Sequence, residues 1–174
     1  MIVVIDEFLD YDVAYLYYDR IVSWRRLHHG EVSIKSSRPH LSLNLAGQEL
    51  PQGRDPHMDE LRVKMMNKVV EVVGILDTDL LQLQRFHTNM HVVGNGDLKK
   101  HTDGTIATAV LMLGDVGKEA GFLYNKDGRD NLIEFKNSRL IIFDEGDLEH
   151  VGVPITSNEK GPRVTVALKF YANI

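Results

Sequence analysis

Leu98-Lys99-Lys100-His101-Thr102-Asp103-Gly104 lies between two runs of strand-like sequence, Leu80 to Val93 and Thr105 to Leu113. If the heptapeptide is extended, His101 and Asp103 leave the same face of the strand, because side chains two apart share a face. An imidazole and a carboxylate then point into one space, and Gly104 ends the strand behind them. The pair carries little weight alone: composition gives roughly 0.7 such His-x-Asp pairs by chance in a chain like this one.

The sequence around this stretch sets the fold class. From Leu80 onward the chain is a series of short apolar or alternating runs: Leu80 to Val93, Leu98 to Asp103, Thr105 to Leu113, Phe122 to Asn125, Leu132 to Phe135, Arg139 to Phe143, Glu149 to Val153 and Arg163 to Tyr171. Turn signals such as Gly94-Asn95-Gly96, Asp127-Gly128 and Glu145-Gly146-Asp147 separate them. Strands at this spacing with no helix between them predict an antiparallel sandwich or barrel.

The first 79 residues read differently. Ile2 to Ile5 is a short β-branched strand. Asp10 can cap a helix whose apolar face would be Val13, Leu16, Tyr17, Ile21, Trp24 and Leu27 or His28. A weak hairpin or two short strands span Gly30 to Leu45, and Gly47 to Pro56 is a loop placed to act as a connector or a lid. A second helix from His57 to Leu76 carries Leu61, Met65, Val69, Val72 and Leu76 on one stripe, with Met66, Val70 and Val73 beside it. The expectation is therefore mainly β with N-terminal helices, one domain over residues 1–174, in which 1–79 supports a β core at 80–174.

Composition narrows the function. The chain has 174 residues, a formal net charge of −5 and no cysteine. The acidic balance makes nucleic acid an unlikely partner, and without cysteine there is no disulfide framework, thiolate metal site or thiol nucleophile. No segment approaches the length of a membrane span. The expected setting is soluble and intracellular, in the cytoplasm, with no membrane association.

Two further motifs lie downstream. His150 falls in Leu148-Glu149-His150-Val151-Gly152-Val153, after the apolar strand Leu140-Ile141-Ile142-Phe143. Two imidazoles and a carboxylate are the ligand set of a non-haem Fe(II) site. Arg163 opens the last strand and Thr165 shares its face, a guanidinium and a hydroxyl suited to a carboxylate. The remaining histidines, His28, His29, His40, His57 and His87, have no such spacing and read as surface or structural. Arg25, Arg26, Arg38 and His40 would make a solvated basic rim.

Taken together, His101-x-Asp103, His150 and Arg163-x-Thr165 in Gly161-Pro162-Arg163-Val164-Thr165-Val166-Ala167-Leu168 resemble the Fe(II)- and 2-oxoglutarate-dependent oxygenases. The likeness is greatest to the prolyl-4-hydroxylase-like group with its small microbial and phage-type members. Arg139 to Phe143 followed by Leu148 to Ile155 is similar to that group's strand, turn and distal-histidine segment. Gly117-Lys118-Glu119-Ala120-Gly121-Phe122-Leu123 resembles its glycine-containing turn. The resemblance covers residues 80–172 well and the first 80 in outline.

The resemblance implies a double-stranded β-helix, or jelly roll, packed against two helices. His101, Asp103 and His150 would bind Fe(II), and 2-oxoglutarate would chelate it through its 2-oxo acid end. Its far carboxylate would pair with Arg163, assisted by Thr165. Members often carry a Tyr in a Tyr-x-x-Gly context for the same carboxylate. Here the segment is His91-Val92-Val93-Gly94, so His91 is either a substitute donor or a structural histidine. O₂ is the implied second co-substrate and ascorbate an accessory one. The implied reaction is hydroxylation of an unactivated C–H bond with release of succinate and CO₂, Asp103 favouring this over halogenation. The substrate would be a prolyl peptide or protein; a free amino acid or other small molecule is the alternative within the enzyme class. A metal-binding β-barrel module without turnover is the alternative outside it. Oligomeric state is left open by these motifs.

Overall fold

The computed structural model describes residues 1–27, 41–44, 56–74, 81–92, 99–144, 146–156 and 160–172. They form two helices, α1 (Tyr11–Leu27) and α2 (Pro56–Val73), and nine strands. The strands are β1 (Ile2–Ile5), β2 (Leu41–Asn44), β3 (Leu81–His91), β4 (Ala107–Leu113), β5 (Phe122–Lys126), β6 (Arg129–Ile133), β7 (Leu140–Phe143), β8 (His150–Gly152) and β9 (Arg163–Ala172). All pairings are antiparallel. They build a six-stranded sheet of order β1-β7-β4-β9-β3-β2 and a three-stranded sheet of order β6-β5-β8.

At its centre the six-stranded sheet is covered on both sides, which is why β4 and β7 read as nearly unbroken apolar runs. One side packs on the helices. Ala109, Leu111, Val164, Val166, Leu168 and Phe86 meet Ala14, Tyr17, Ile21, Leu61, Met65 and Val69 in the main core. The opposite side faces the small sheet, where Met112, Ile141 and Phe143 pack with Phe122, Phe135 and Leu148. The period of two assigns alternate residues to the two cores. On β9 this turns Arg163, Thr165, Ala167 and Lys169 away from the helices, and on β3 it does the same for His87, Asn89 and His91.

Three sequence expectations change. The helix α1 starts after Asp10, whose carbonyl accepts from the Ala14 amide, but its buried stripe is Ala14, Tyr17 and Ile21, while Val13 and Leu16 are exposed. Hydropathy could not separate two neighbouring stripes; Ala14, whose methyl is too short to hold the helix off, lets α1 approach the sheet. The second hairpin strand is Arg129–Ile133 rather than Leu132–Phe135. Asp127 and Gly128 both adopt positive φ, 54° and 73°, which makes a two-residue turn and starts the return strand at once. Of the run ending at Asp103, the described residues 99–103 are joined to the small sheet by one isolated bridge, His101 to His150.

The α2 stripe of Leu61, Met65 and Val69 is buried as expected, with Met58 added. Trp24 lies where only the helix backbone is described. Leu76, the hairpin expected before Leu41, the loop between Gly47 and Asp55, and His28, His29, Arg38 and His40 lie outside the described residues. His57 is exposed, as expected. Neither described helix is long and apolar enough to cross a membrane.

The strand β1 is fastened beside β7 by an ion pair with a testable contribution. Arg139 reaches Asp6 with Nε–Oδ1 at 2.6 Å and Nη2–Oδ2 at 3.0 Å, and Lys136 Nζ lies 3.2 Å from Oδ2. The Arg139 hydrogen bond holds the Asp6 carboxyl down at about 2, outweighing the desolvation that raises it, with Lys136 adding a smaller lowering. Asp6 is 41% exposed, so screening limits the pair to about 1 kcal/mol or less. Asp6→Asn is expected to lower unfolding free energy by that amount near neutral pH. Because folding depresses this pKa, the contribution is present above the ordinary carboxylate value and fades as pH falls toward 2. Denaturant melts of both proteins at pH 7 and pH 2.5 check it: the difference should narrow at the lower pH, where the unfolded carboxyl is protonated and the folded one only partly so.

Candidate active site

The space between the two sheets is a cavity of about 480 Å³. Its walls are the inward rows of β3, β4 and β9, the segment 99–103, and β8 from the small sheet. The bridge between His101 and His150 brings the two motifs together. The His101 amide donates to the His150 carbonyl at 3.0 Å and the reverse bond is 2.9 Å, so the two residues are direct cross-strand neighbours. Their rings are 4.6 Å apart between centroids. Gly104 then turns the chain with φ +63°, and its amide donates to the Gly146 carbonyl at 2.9 Å. A side chain at this φ would be strained.

Each histidine uses its Nδ1 on the backbone. His150 Nδ1 donates to the Leu148 carbonyl at 2.9 Å, and His101 Nδ1 to the Lys99 carbonyl at 3.3 Å. A carbonyl can only accept, so Nδ1 is the donor, and in the neutral imidazole that tautomer leaves the lone pair on Nε2. Both Nε2 atoms face the Asp103 carboxylate, His101 Nε2 at 3.7 Å from Oδ1 and His150 Nε2 at 3.6 Å from Oδ2. Those separations are too long for hydrogen bonds. They suit three donors around one ion, and the three ligand atoms lie within 4.8 Å of one another. The His150 ring is fixed by stacking on Phe122 at 5.1 Å and by the edge of Phe143 at 5.1 Å.

Charge at the cluster is held in the ligand forms. Burial alone would raise the Asp103 carboxyl, but the hydrogen bond and charge of Lys169, with help from His150 and Thr108, hold it below the usual carboxylate range. Lys169 Nζ donates to Oδ1, and Thr108 Oγ1 donates to Oδ2 at 3.1 Å. Burial lowers His150, outweighing the Leu148 carbonyl and the Asp103 charge, which raise it. A neutral imidazole and an ionised carboxylate are what a cation requires.

Deeper in the cavity lies Arg163, 3% exposed. Its Nη1 donates to the Val153 carbonyl at 2.9 Å and to those of Ala120 and Gly121 at 3.3 Å. The glycine-containing turn thus contributes backbone oxygens that seat the guanidinium. Gly152 is part of the same seat: a Cβ there would fall 2.2 Å from Nη2. Among the described residues no carboxylate pairs with Arg163, and its buried Nε has no hydrogen-bond partner. Burial pushes the guanidinium down to about 10. A buried cation with an unmet donor suits an anion.

Register brings the other expected residues to it. His91 pairs with Arg163 and Asn89 with Thr165 across β3 and β9, while Met112 flanks Thr165 on β4. Both His91 and Thr165 are buried and line the cavity. All six residues singled out from the sequence therefore meet in one cavity. Among the residues not singled out, His87, Thr108 and Lys169 join them. His87, expected at the surface or in a structural role, is 4% exposed and sits on the cavity wall. Its place was readable, since His87 and His91 are four apart on one strand and so share a face.

No protein-family model and no curated protein sequence matches the chain. Solved structures do match its fold. A prolyl-4-hydroxylase from Pseudomonas putida superposes with a TM-score of 0.72 at 17% identity, over 99% of this chain and 93% of that one. The viral collagen prolyl hydroxylase of Paramecium Bursaria Chlorella virus-1, as its 2-oxoglutarate complex, gives 0.68 at 16% identity, over 99% and 96%. The epimerase SnoN, in complex with Fe³⁺, α-ketoglutarate and nogalamycin RO, gives 0.69 at 14% identity, over 98% and 78%. At these identities the likeness is one of fold.

Proposed function

We propose that the chain is an Fe(II)- and 2-oxoglutarate-dependent dioxygenase that hydroxylates an unactivated C–H bond. In this reading it is a single domain, residues 1–79 supporting 80–174, and the two sheets are the walls of a double-stranded β-helix. The observation that carries the proposal is the placing of Arg163 relative to the histidine–aspartate cluster. The guanidinium rests against Gly152, and Gly152 is two residues along β8 from His150, a step of roughly 7 Å. A short dicarboxylate can therefore span the cavity with one end at the cluster and the other on Arg163.

In the proposed roles, His101, Asp103 and His150 hold Fe(II) on one face and leave its other positions open. Thr108 orients the carboxylate, and the Leu148 and Lys99 carbonyls orient the imidazoles. Arg163, with Thr165 and His91, receives the far carboxylate of 2-oxoglutarate. The apolar walls from Val110, Met112, Phe122 and Phe135 keep water from the reacting atoms. With metal, 2-oxoglutarate and O₂ bound, the centre supplies a C–H oxidant, one oxygen atom entering the product and the other succinate, with CO₂ released. Ascorbate would serve only to keep the metal reduced. The similar folds include both prolyl hydroxylases and an epimerase, so prolyl peptides and free proline are the first substrates to try.

The test is anaerobic addition of Fe(II) and 2-oxoglutarate to the metal-free protein, followed by admission of O₂. A visible metal-to-ligand charge-transfer band is expected, and succinate should form once O₂ is present. A metal-binding module without turnover would bind metal yet consume no 2-oxoglutarate. Absence of both the band and succinate would sink the proposal.

A further inference from the structure

Among its described residues, the cavity holds more positive charge than the proposed metal and co-substrate can balance, and the excess falls on one side chain. Among the described residues, Asp103 is the only acid lining the cavity, against Lys99, Arg163 and Lys169. A divalent metal would be balanced by Asp103 and the 2-oxo acid end of 2-oxoglutarate, while the far carboxylate balances Arg163. Lys99 is exposed, and water satisfies its ammonium. Lys169 is left over.

The position of Lys169 makes that surplus consequential. Its ammonium donates to Asp103 Oδ1, the oxygen that also faces His101, and its side chain is only 13% exposed. It pairs in register with Thr108 on β4, at the end of the β9 row opposite Arg163. Once the Asp103 charge is shared with a metal, Lys169 becomes a largely buried ammonium beside a dication. Such a group requires a further anion. A neutral peptide carbonyl does not meet that requirement, and a single ammonium matches a monoanion better than a phosphate dianion.

We propose that Lys169 is a specificity-determining residue that receives the carboxylate of the primary substrate, and that this substrate is a small carboxylic acid of the free amino acid class. The inference rests on the dioxygenase reading and narrows it from C–H hydroxylation in general to acids small enough to share a 480 Å³ cavity with 2-oxoglutarate.

The test uses the anaerobic protein loaded with Fe(II) and 2-oxoglutarate. The free amino acids, L-proline first, and the corresponding carboxamides are titrated against the charge-transfer band. ¹⁸O₂ is then admitted and products are weighed by mass spectrometry. At least one acid should perturb the band and gain one ¹⁸O, with an apparent affinity tenfold or more above its amide. Lys169→Met should bring the acid-to-amide ratio close to one, and Lys169→Arg should keep most of it. Equal response to acid and amide, silence from every acid, label entering only blocked or neutral compounds, or discrimination that survives Lys169→Met overturns the inference. The wild-type comparison stands even if a Lys169 variant fails to fold. A protein that forms no charge-transfer band fails at the dioxygenase reading itself, and the two failures are told apart by that band.

Discussion

Asp103→Ala is expected to abolish metal-dependent succinate formation and to destabilise the metal-free protein as well. The two effects have separate causes. The carboxylate is the only anionic ligand in the cluster, so its loss leaves two neutral imidazoles. Metal affinity should fall by more than ~100-fold, beyond the cost of disturbing a supporting hydrogen bond. The same carboxylate, 2% exposed, is also the partner of Lys169. Removing it strands an ammonium that is mostly buried, a change worth about 3 kcal/mol and a fall in Tm of roughly 10 °C for a chain this size. Asp103→Ala/Lys169→Met should recover most of the stability and none of the turnover. Calorimetry and succinate assays on the single and double variants separate the effects. Normal succinate production by Asp103→Ala would remove the basis of the proposed function.

Arg163→Met is expected to raise the KM for 2-oxoglutarate by roughly 30- to 100-fold, the scale of about 2–3 kcal/mol for losing one partner of a buried charge pair. Metal affinity should change little, because Arg163 touches none of the three cluster residues. The ligand-free protein should become no less stable: at this site burial opposes the charge, no carboxylate among the described residues offsets it, and a methionine fills similar space. Gly152→Ala should mimic the KM effect while the charge is kept. The new Cβ would lie 2.2 Å from Nη2, and the guanidinium is pinned by the carbonyls of Val153, Ala120 and Gly121. Kinetics against 2-oxoglutarate, beside a metal titration of each variant, read both effects. An unchanged KM in Arg163→Met would show that the co-substrate is not held here.

The elements of the β region were largely legible because the signal that makes a strand is local. Alternation along β9 placed Arg163 and Thr165 on one face, and the structure puts both in the cavity. The same alternation extends to Lys169, yet a lysine near a strand end reads as solvated, and only Asp103 opposite it shows otherwise. His87 was passed over although alternation puts it on the face of His91, because the face shared by two histidines does not show which side of the sheet is covered. On α1 the helix itself was clear while its buried stripe was not: Val13 and Leu16 are as apolar as the residues that pack, and the choice belongs to the sheet beneath. For β6 the turn decided. Asp127-Gly128 carries the positive-φ pair that sets where the return strand begins, and the exposed strand has no apolar pattern to announce itself.

By itself the sequence determined the residue types, their order and their faces: two imidazoles and a carboxylate, then a guanidinium with a hydroxyl two residues on, each within a run of period two. Only the tertiary structure decided that His101 and His150 are cross-strand neighbours, that both turn Nε2 to Asp103, that Arg163 is buried with no carboxylate on it among the described residues, and that Lys169 closes on Asp103. The division has one physical cause. Side-chain alternation is set within a few residues by backbone geometry, whereas distance and burial follow from the pairing register of strands far apart in the chain.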